Sequence, residues 1–326
     1  MAIKKLLSAF FLLSVIFLCP SFSQNYNKVD QIVLKYPKRF DTTEELADRI
    51  QKDFSSDRDK ARAIFSWMAF NINYDLNAFL NPQRSQGFSY RTEEEKQQKI
   101  KQLNDNMLQK AFKSQKAVCE GFTVLYSHLA SLTGLKSQIV KGDSKTRLVD
   151  IGRKTPHSDH AWNMVLIDGK WRLIDVTWGQ GYYDSSKGRM TKEFAPIYFD
   201  TPPEYFFTKH FPDSGEYLGD KLDREDFLNG PLIYNKLIEY DAQVLEPKSG
   251  LIEVKNGDNI TFRFKNISKK DVLFYLNKKN QPVKIANSKE RKGGLEFDII
   301  YDKNIGEYIT FFMDNNSIAS FQIKQK

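Results

Sequence analysis

The sequence predicts an α+β protein in two parts, a helical region leading into an antiparallel sheet and a small all-β sandwich after it. Three observations carry this reading. From Thr42 to Gly134, capped segments place apolar residues at helical spacing. In "HAWNMVLIDGKWRLIDVTWG", two apolar runs flank Asp168-Gly169, the pair favoured in a two-residue hairpin turn. Beyond Tyr240 come strand-length runs, "LIEVK", "NITFRFKN", "VLFYL", "LEFDII", "YITFFM" and "SIASFQIK". Asn, Gly, Asp and Lys separate them at about 8–12-residue spacing, as in an antiparallel, immunoglobulin-like sandwich. At 326 residues, 40% apolar and 13% aromatic, the chain can build two cores. The reading assigns residues 1–23 to a signal peptide, 24–240 to the α+β domain and 241–326 to the sandwich, with "EPKSG" as a linker-like turn.

The N-terminus reads as a secretory signal. Lys4 and Lys5 form its charged region, Leu6 to Leu18 its 13-residue apolar region, and Ser21 and Ser23 the small-residue cleavage positions. Leu18 is too bulky for lipoprotein acylation at Cys19, so cleavage after Ser23 is expected. The apolar run is short for a bilayer span, and no later stretch approaches about 20 apolar residues. A soluble exported chain, periplasmic or extracellular, is the expectation, without stable membrane insertion.

Thr42 with Glu45 makes a capping box before Leu46, Ile50 and Phe54. Ser56 caps a second helix whose stripe is Ala61, Ile64, Phe65 and Met68. Residues 76–91 read as a loop. Thr92 with Glu95 then opens a polar helix buried only along Ile100, Leu103 and Met107. The formal charge is +8, or +6 without Lys4 and Lys5, but lysines alternate with acids, as in "TEEEKQQKIKQLNDN". That is a solvated surface and no nucleic-acid footprint.

Cleavage would remove Cys19 and leave Cys119 alone, whereas exported proteins use cysteines mainly in disulfide pairs. A solitary thiol is a buried filler, an intermolecular linker or a nucleophile. In "KAVCEGFTVLYSHLASLTG", Phe122, Leu125, Tyr126, Leu129 and Leu132 keep helical spacing and Gly134 stops the helix. Cys119 therefore sits at the first turn, where free N–H groups and the helix dipole favour a thiolate. His128 lies nine residues on, about 180° around the axis, and cannot be its partner.

The hairpin supplies one. With Ile167 facing Lys170, His160 falls opposite Thr177 and Asp175 opposite Trp162, so His160 and Asp175 share a face one diagonal apart. Trp162, Met164, Leu166, Trp171 and Leu173 share that face, which is expected to pack against the cysteine helix. His160 can take the thiol proton and Asp175 can orient the imidazole, so Cys119, His160 and Asp175 are the candidate catalytic residues. A competing set, Cys119 with His157 and His160, has a metal-ligand character with Asp175 as ligand or support. It is the weaker arrangement, and neither metal nor cofactor is expected.

These residues resemble a known family. "DKARAIFSWMAFNINYD", "AVCEGFTVLYSHLASLTGLKSQIVKG", "HAWNMVLIDGKWRLIDVTWG" and "IYFDTPPEYFFTKHFPD" together resemble the transglutaminase-like superfamily of papain-like folds. The kyphoscoliosis-peptidase-like branch of exported bacterial proteins is the nearest. The resemblance implies a papain-like transglutaminase core, with the helix carrying Cys119 packed on an antiparallel sheet. It places nucleophile, base and orienting acid on Cys119, His160 and Asp175.

The chemistry implied is attack on a protein or peptide amide through a thioester acyl-enzyme. Water would resolve it as a cysteine protease or amidase does, and a lysine amine as a protein-glutamine acyltransferase does. The Cys119 N–H is a candidate oxyanion donor, Gln115 a candidate second donor, and Trp162 and Trp178 candidate walls. Vertebrate relatives are calcium-activated, but no acidic calcium loop is present. His210 lies in a shared block without an assignable role. The sandwich holds neither cysteine nor histidine, so it would bind or cover but not catalyse. The alternative class is a binding or scaffolding protein that has lost turnover.

Overall fold

The computed structural model describes residues 26–81, 88–155, 157–184, 186–214, 223–291 and 293–326. The expected signal peptide, with Cys19, lies outside them. Six helices open the described chain: Asn27–Val33, Thr43–Asp53, Asp57–Asn71, Leu76–Leu80, Glu93–Ser114 and Cys119–Leu132. Three of them start at the caps read from the sequence. Thr42, Ser56 and Thr92 each accept a backbone N–H three residues on, from Glu45, Asp59 and Glu95. The helix Leu76–Leu80 occupies part of the expected loop, because Asp75 caps it through Ala78 N–H.

Two apolar stripes differ from expectation. Glu93–Ser114 buries Leu108, Ala111 and Phe112, while Leu103 is 47% exposed. Only the C-terminal half of that helix lies against the cysteine helix, so its first turns stand in solvent. Asp57–Asn71 is buried all round from Ala61 to Ala69, including Arg62 and Ser66. Arg62 is satisfied there by Asp30, at 2.9 and 2.7 Å, and Ser66 donates to the same carboxylate. That pair ties Asn27–Val33, a helix without a strong sequence signature, onto the core.

The hairpin forms in the expected register, Ile167 facing Lys170 and Asn163 facing Ile174. Ser137–Ser144 adds antiparallel beyond His160–Ile167, and His210–Pro212 adds beyond that, giving a four-stranded sheet. The face that meets the cysteine helix is the opposite of the one expected. Val165, Ile167 and Ile174 share a core with Phe65, Trp67, Phe122, Leu125, Tyr126 and Leu129. Asn163 Nδ2 donates to Thr123 O and Ser127 Oγ of that helix. Trp162, Met164 and Leu173 pack on the other side with Val140, Phe206 and Phe207. Both faces are covered, so apolar alternation could not say which one the helix takes.

The C-terminal region is a two-sheet β-sandwich. One sheet runs Gln243–Glu246, Asn259–Lys265, Gly294–Ile300, Ser288–Arg291. In the other, Asn316–Gln325 lies between Leu251–Val254 and Tyr308–Met313, and Leu273–Leu276 and Pro282–Lys284 continue outward. All six expected runs are strands, but Leu251–Val254 pairs with Asn316–Gln325 in parallel, a departure from an all-antiparallel sandwich. Phe262, Phe264, Phe297, Phe311 and Phe321 fill the space between sheets. Their rings lie 4.7–6.1 Å from Phe311, mostly edge to face. Leu232–Ile233 also pairs with Asn316–Gln325, and Tyr205, Leu237 and Ile238 enter the same core.

After the hairpin, Val176–Gly179 makes one helical turn pressed on Asp57–Asn71. A Cβ on Gly179 would fall 2.5 Å from Cζ of Phe65, a ring with no exposure. Gly179→Ala is therefore expected to destabilise the protein by about 1–3 kcal/mol through overpacking, read as a lower urea midpoint at unchanged slope.

Candidate active site

Cys119 is the first residue of its helix, and Val118 before it provides no side-chain cap. The opening N–H groups of a helix have no intrahelical acceptor, so this turn presents donors beside the thiol. The helix start is held from outside. Asn73–Tyr74 pairs in parallel with Lys116–Ala117, Asn73 N donates to Gln115 O, and Asp75 N donates to Ala117 O, both at 2.9 Å. Gln115 turns the chain in the left-handed region, φ 51°. Its side-chain amide donates to the Lys38 carbonyl, so it braces the turn and is not aimed at the site as a second oxyanion donor. Gly121 permits the close approach, since a Cβ there would lie 2.8 Å from Cβ of Ala117. The Cys119 thiol is free and partly exposed.

His160 begins the first hairpin strand, and the loop before it is tied down. Asp143, fully buried, accepts the backbone N–H groups of His157 and Ser158 at 2.5 and 2.8 Å and is paired with Arg224. The paired strands stop at Ile174, so Asp175 and Thr177 do not face Trp162 and His160 across the ladder as the extrapolated register required. Asp175 instead caps Val176–Gly179, its Oδ1 accepting Trp178 N–H at 3.0 Å. That bend carries Oδ2 to 2.7 Å from His160 Nε2. Asp175 has no exposure and His160 only 8%.

With Nε2 taken by the carboxylate, Nδ1 is the ring nitrogen left for the thiol, and Cys119 is close enough to this imidazole to act on its electrostatics. Burial alone would depress His160. The Asp175 charge and hydrogen bond, aided by Cys119, override it and raise His160 to about 10. Burial pushes Asp175 the other way, but His160 and His210 hold its carboxyl well below the usual range. At neutral pH the pair is imidazolium and carboxylate.

Sequence reasoning left His210 without a role, and it stands in the same network. Its Nε2 lies 3.0 Å from Asp175 Oδ2 and its Nδ1 3.1 Å from Phe206 O. No periodicity marks it, because its place depends on the short strand His210–Pro212 joining Ser144 across the sheet edge. Trp178 stacks on His160 at 4.9 Å and 19°, walling the site as expected. Trp162 is 1% exposed and belongs to the core. Tyr74, beside the Ala117 pairing, is a further neighbour. Burial and the charges of Cys119 and Asp175 push its phenol above its ordinary range, so it stays protonated. His128 bonds Thr43 Oγ1 at 3.0 Å, away from the thiol. His157 is exposed, and among the described residues it forms no metal-ligand group with Cys119.

Among the described residues, His160, Asp175 and His210 are the trio whose ligand atoms lie within 4.8 Å of one another. Their separations of 2.7 and 3.0 Å from one carboxylate oxygen are those of N–H donors on an acceptor. The arrangement can stabilise an imidazolium, hold a thiol proton and return it to a leaving group.

Residues 44–176 match the model of the transglutaminase-like superfamily, a span containing Cys119, His160 and Asp175. Kyphoscoliosis peptidase of Homo sapiens is 26% identical over 300 residues, 90% of this chain and 41% of that protein. Hillarin of Drosophila melanogaster is 23% identical over 248 residues, 70% of this chain and 27% of that protein. A crystal structure of a TGase covers 47% of this chain and 32% of its own at 24% identity, with a TM-score of 0.28. The chain spans less than half the length of either curated relative. The match to the transglutaminase-like superfamily therefore falls on the span that holds the cysteine helix, the hairpin and the capping turn.

Proposed function

We propose that the protein is a thiol-dependent acyl-transfer enzyme acting on protein or peptide amides, with Cys119 as nucleophile, His160 as acid and base, and Asp175 as orienting acid. The observation that carries this is the buried 2.7 Å His160–Asp175 pair, with Cys119, a free and partly exposed cysteine at a helix start, among the groups acting on the imidazole. The thiolate attacks the amide carbonyl, and the Cys119 N–H receives the developing oxyanion. Collapse breaks the C–N bond as His160 gives its proton to the leaving amine, leaving a thioester and a neutral imidazole. That imidazole then takes a proton from water, yielding acid, or from an amine, yielding a new amide. Thiolate and imidazolium are restored either way.

The relatives named kyphoscoliosis peptidase support hydrolysis, and the transglutaminase-like superfamily match supports transfer. The exposed thiol and the fully buried Asp175 favour neither. We also propose export, with cleavage after Ser23. Intact-mass measurement of protein from an exporting host should place Gln24 at the N-terminus, and a mature chain still starting at Met1 would overturn this.

Iodoacetamide labelling of Cys119 against pH tests the chemistry. An unperturbed thiol is only about 0.3% ionised at pH 6. Labelling should remain fast there and fall at least about tenfold in His160→Ala. A profile that rises only near pH 8.5 in both proteins would leave the scaffolding reading in its place. Asp175→Asn removes the charge that raises His160, so the imidazolium is lost at a lower pH. Turnover of a peptide amide should fall about 10²–10⁴-fold, with KM little changed.

A further inference from the structure

We infer that His210 is a positioning residue of the active site, acting through Asp175, which it holds against His160. This rests on the catalytic reading of Cys119, His160 and Asp175. The Asp175 carboxylate has no exposure, so water cannot orient it. Three donors do, from three separate elements. Trp178 N–H meets Oδ1 at 3.0 Å, and the Nε2 atoms of His160 and His210 meet Oδ2 at 2.7 and 3.0 Å. With two donors the carboxylate could swing about the axis joining them. The third removes that freedom.

His210 is itself immobilised. Its ring lies parallel to Phe206 at 3.8 Å and 11°, and Trp178 covers it at 4.2 Å. The same Trp178 stacks on His160, so one indole sets the spacing of both imidazoles. The proton position follows from its two neighbours. Phe206 O already accepts Lys209 N–H at 3.1 Å, whereas Asp175 Oδ2 is a charged and stronger acceptor. His210 therefore carries its proton on Nε2 and donates it to Asp175.

The titratable groups facing His210 are Asp175, His160, Tyr198 and the adjacent Lys209. Lys209 Nζ is bound to Tyr198 Oη and Asn235 Oδ1, both at 2.8 Å. Burial depresses His210 to about 4, so at neutral pH it is a neutral donor beside cationic His160 and ionised Asp175.

The test separates a donor from a space-filling ring. His210→Phe keeps the aromatic stack and loses the N–H, while His210→Gln supplies an N–H near Nε2 without the stack. Without that donor the carboxylate is no longer held against His160, and the imidazolium that supports the Cys119 thiolate is weakened. The acid limb of the Cys119 labelling profile should then move to higher pH by about one to two units in His210→Phe and return toward wild type in His210→Gln. A filler ring would leave that limb in place. In parallel, imidazole ¹⁵N spectra of the wild type and of Cys119→Ala should find His210 protonated at Nε2. An unmoved acid limb in folded His210→Phe, or a proton on Nδ1, overturns the inference. Wild-type labelling indifferent to His160→Ala would instead sink the catalytic reading, and the nitrogen spectra would still decide the His210–Asp175 bond.

Discussion

The half of the molecule that carries Cys119 and His160 is arranged around one buried negative charge. An ionised carboxylate removed from water costs about several kcal/mol unless donors replace the lost hydration. Asp175 obtains them from the turn it caps, from the first hairpin strand and from the sheet-edge strand of His210. Each of those elements must sit where it does for the charge to be tolerated. The hairpin has to end at Ile174, the next residues have to coil into one helical turn, and a distant segment has to return to Ser144. Folding and preparation of the imidazolium are thus the same event. The geometry that satisfies the carboxylate also gives His160 its charge.

A second buried charge does comparable work for the helices. Arg62 is 1% exposed and meets Asp30 through two nitrogens, with Tyr26, Phe65, Phe194 and Phe199 rings within 5.3 Å of its guanidinium. Removing one partner of such a pair leaves an uncompensated ion, at a cost of about 3–5 kcal/mol. The clamp holds Asn27–Val33 against the face of the helix that also carries Phe65, the ring that Gly179 accommodates. Helix packing and the turn bearing Asp175 are linked through that contact.

Local chemistry was legible in the sequence wherever the determinant is local. Capping by Thr42, Ser56 and Thr92 depends on residues three apart, the turn at Asp168-Gly169 on two residues, and the hairpin register on that turn. The convergence of Cys119, His160 and Asp175 was readable for the same reason, although Asp175 reaches His160 by leaving the ladder and not across it. What escaped were choices made by distant chain. A period of two places Trp162 and Val165 on opposite faces but does not say which face the cysteine helix covers. Arg62 reads as a surface residue until Asp30 is seen beside it. His210 becomes meaningful only when its strand docks, and Gln115 only when Lys38 supplies a carbonyl.

The strand Asn316–Gln325 lies inside its sheet and not at an edge, with Leu251–Val254 and Leu232–Ile233 on one side and Tyr308–Met313 on the other. A chain emerging from the ribosome has Cys119, His160, Asp175 and His210 outside the exit tunnel well before that strand is made. The elements that carry these four residues can therefore assemble during synthesis. Meanwhile Leu232–Ile233 and the core positions Tyr205, Leu237 and Ile238 wait for a partner that comes about ninety residues later. The two halves mature on different clocks. The interval between them is when that apolar surface is open to chaperones or to a neighbouring nascent chain.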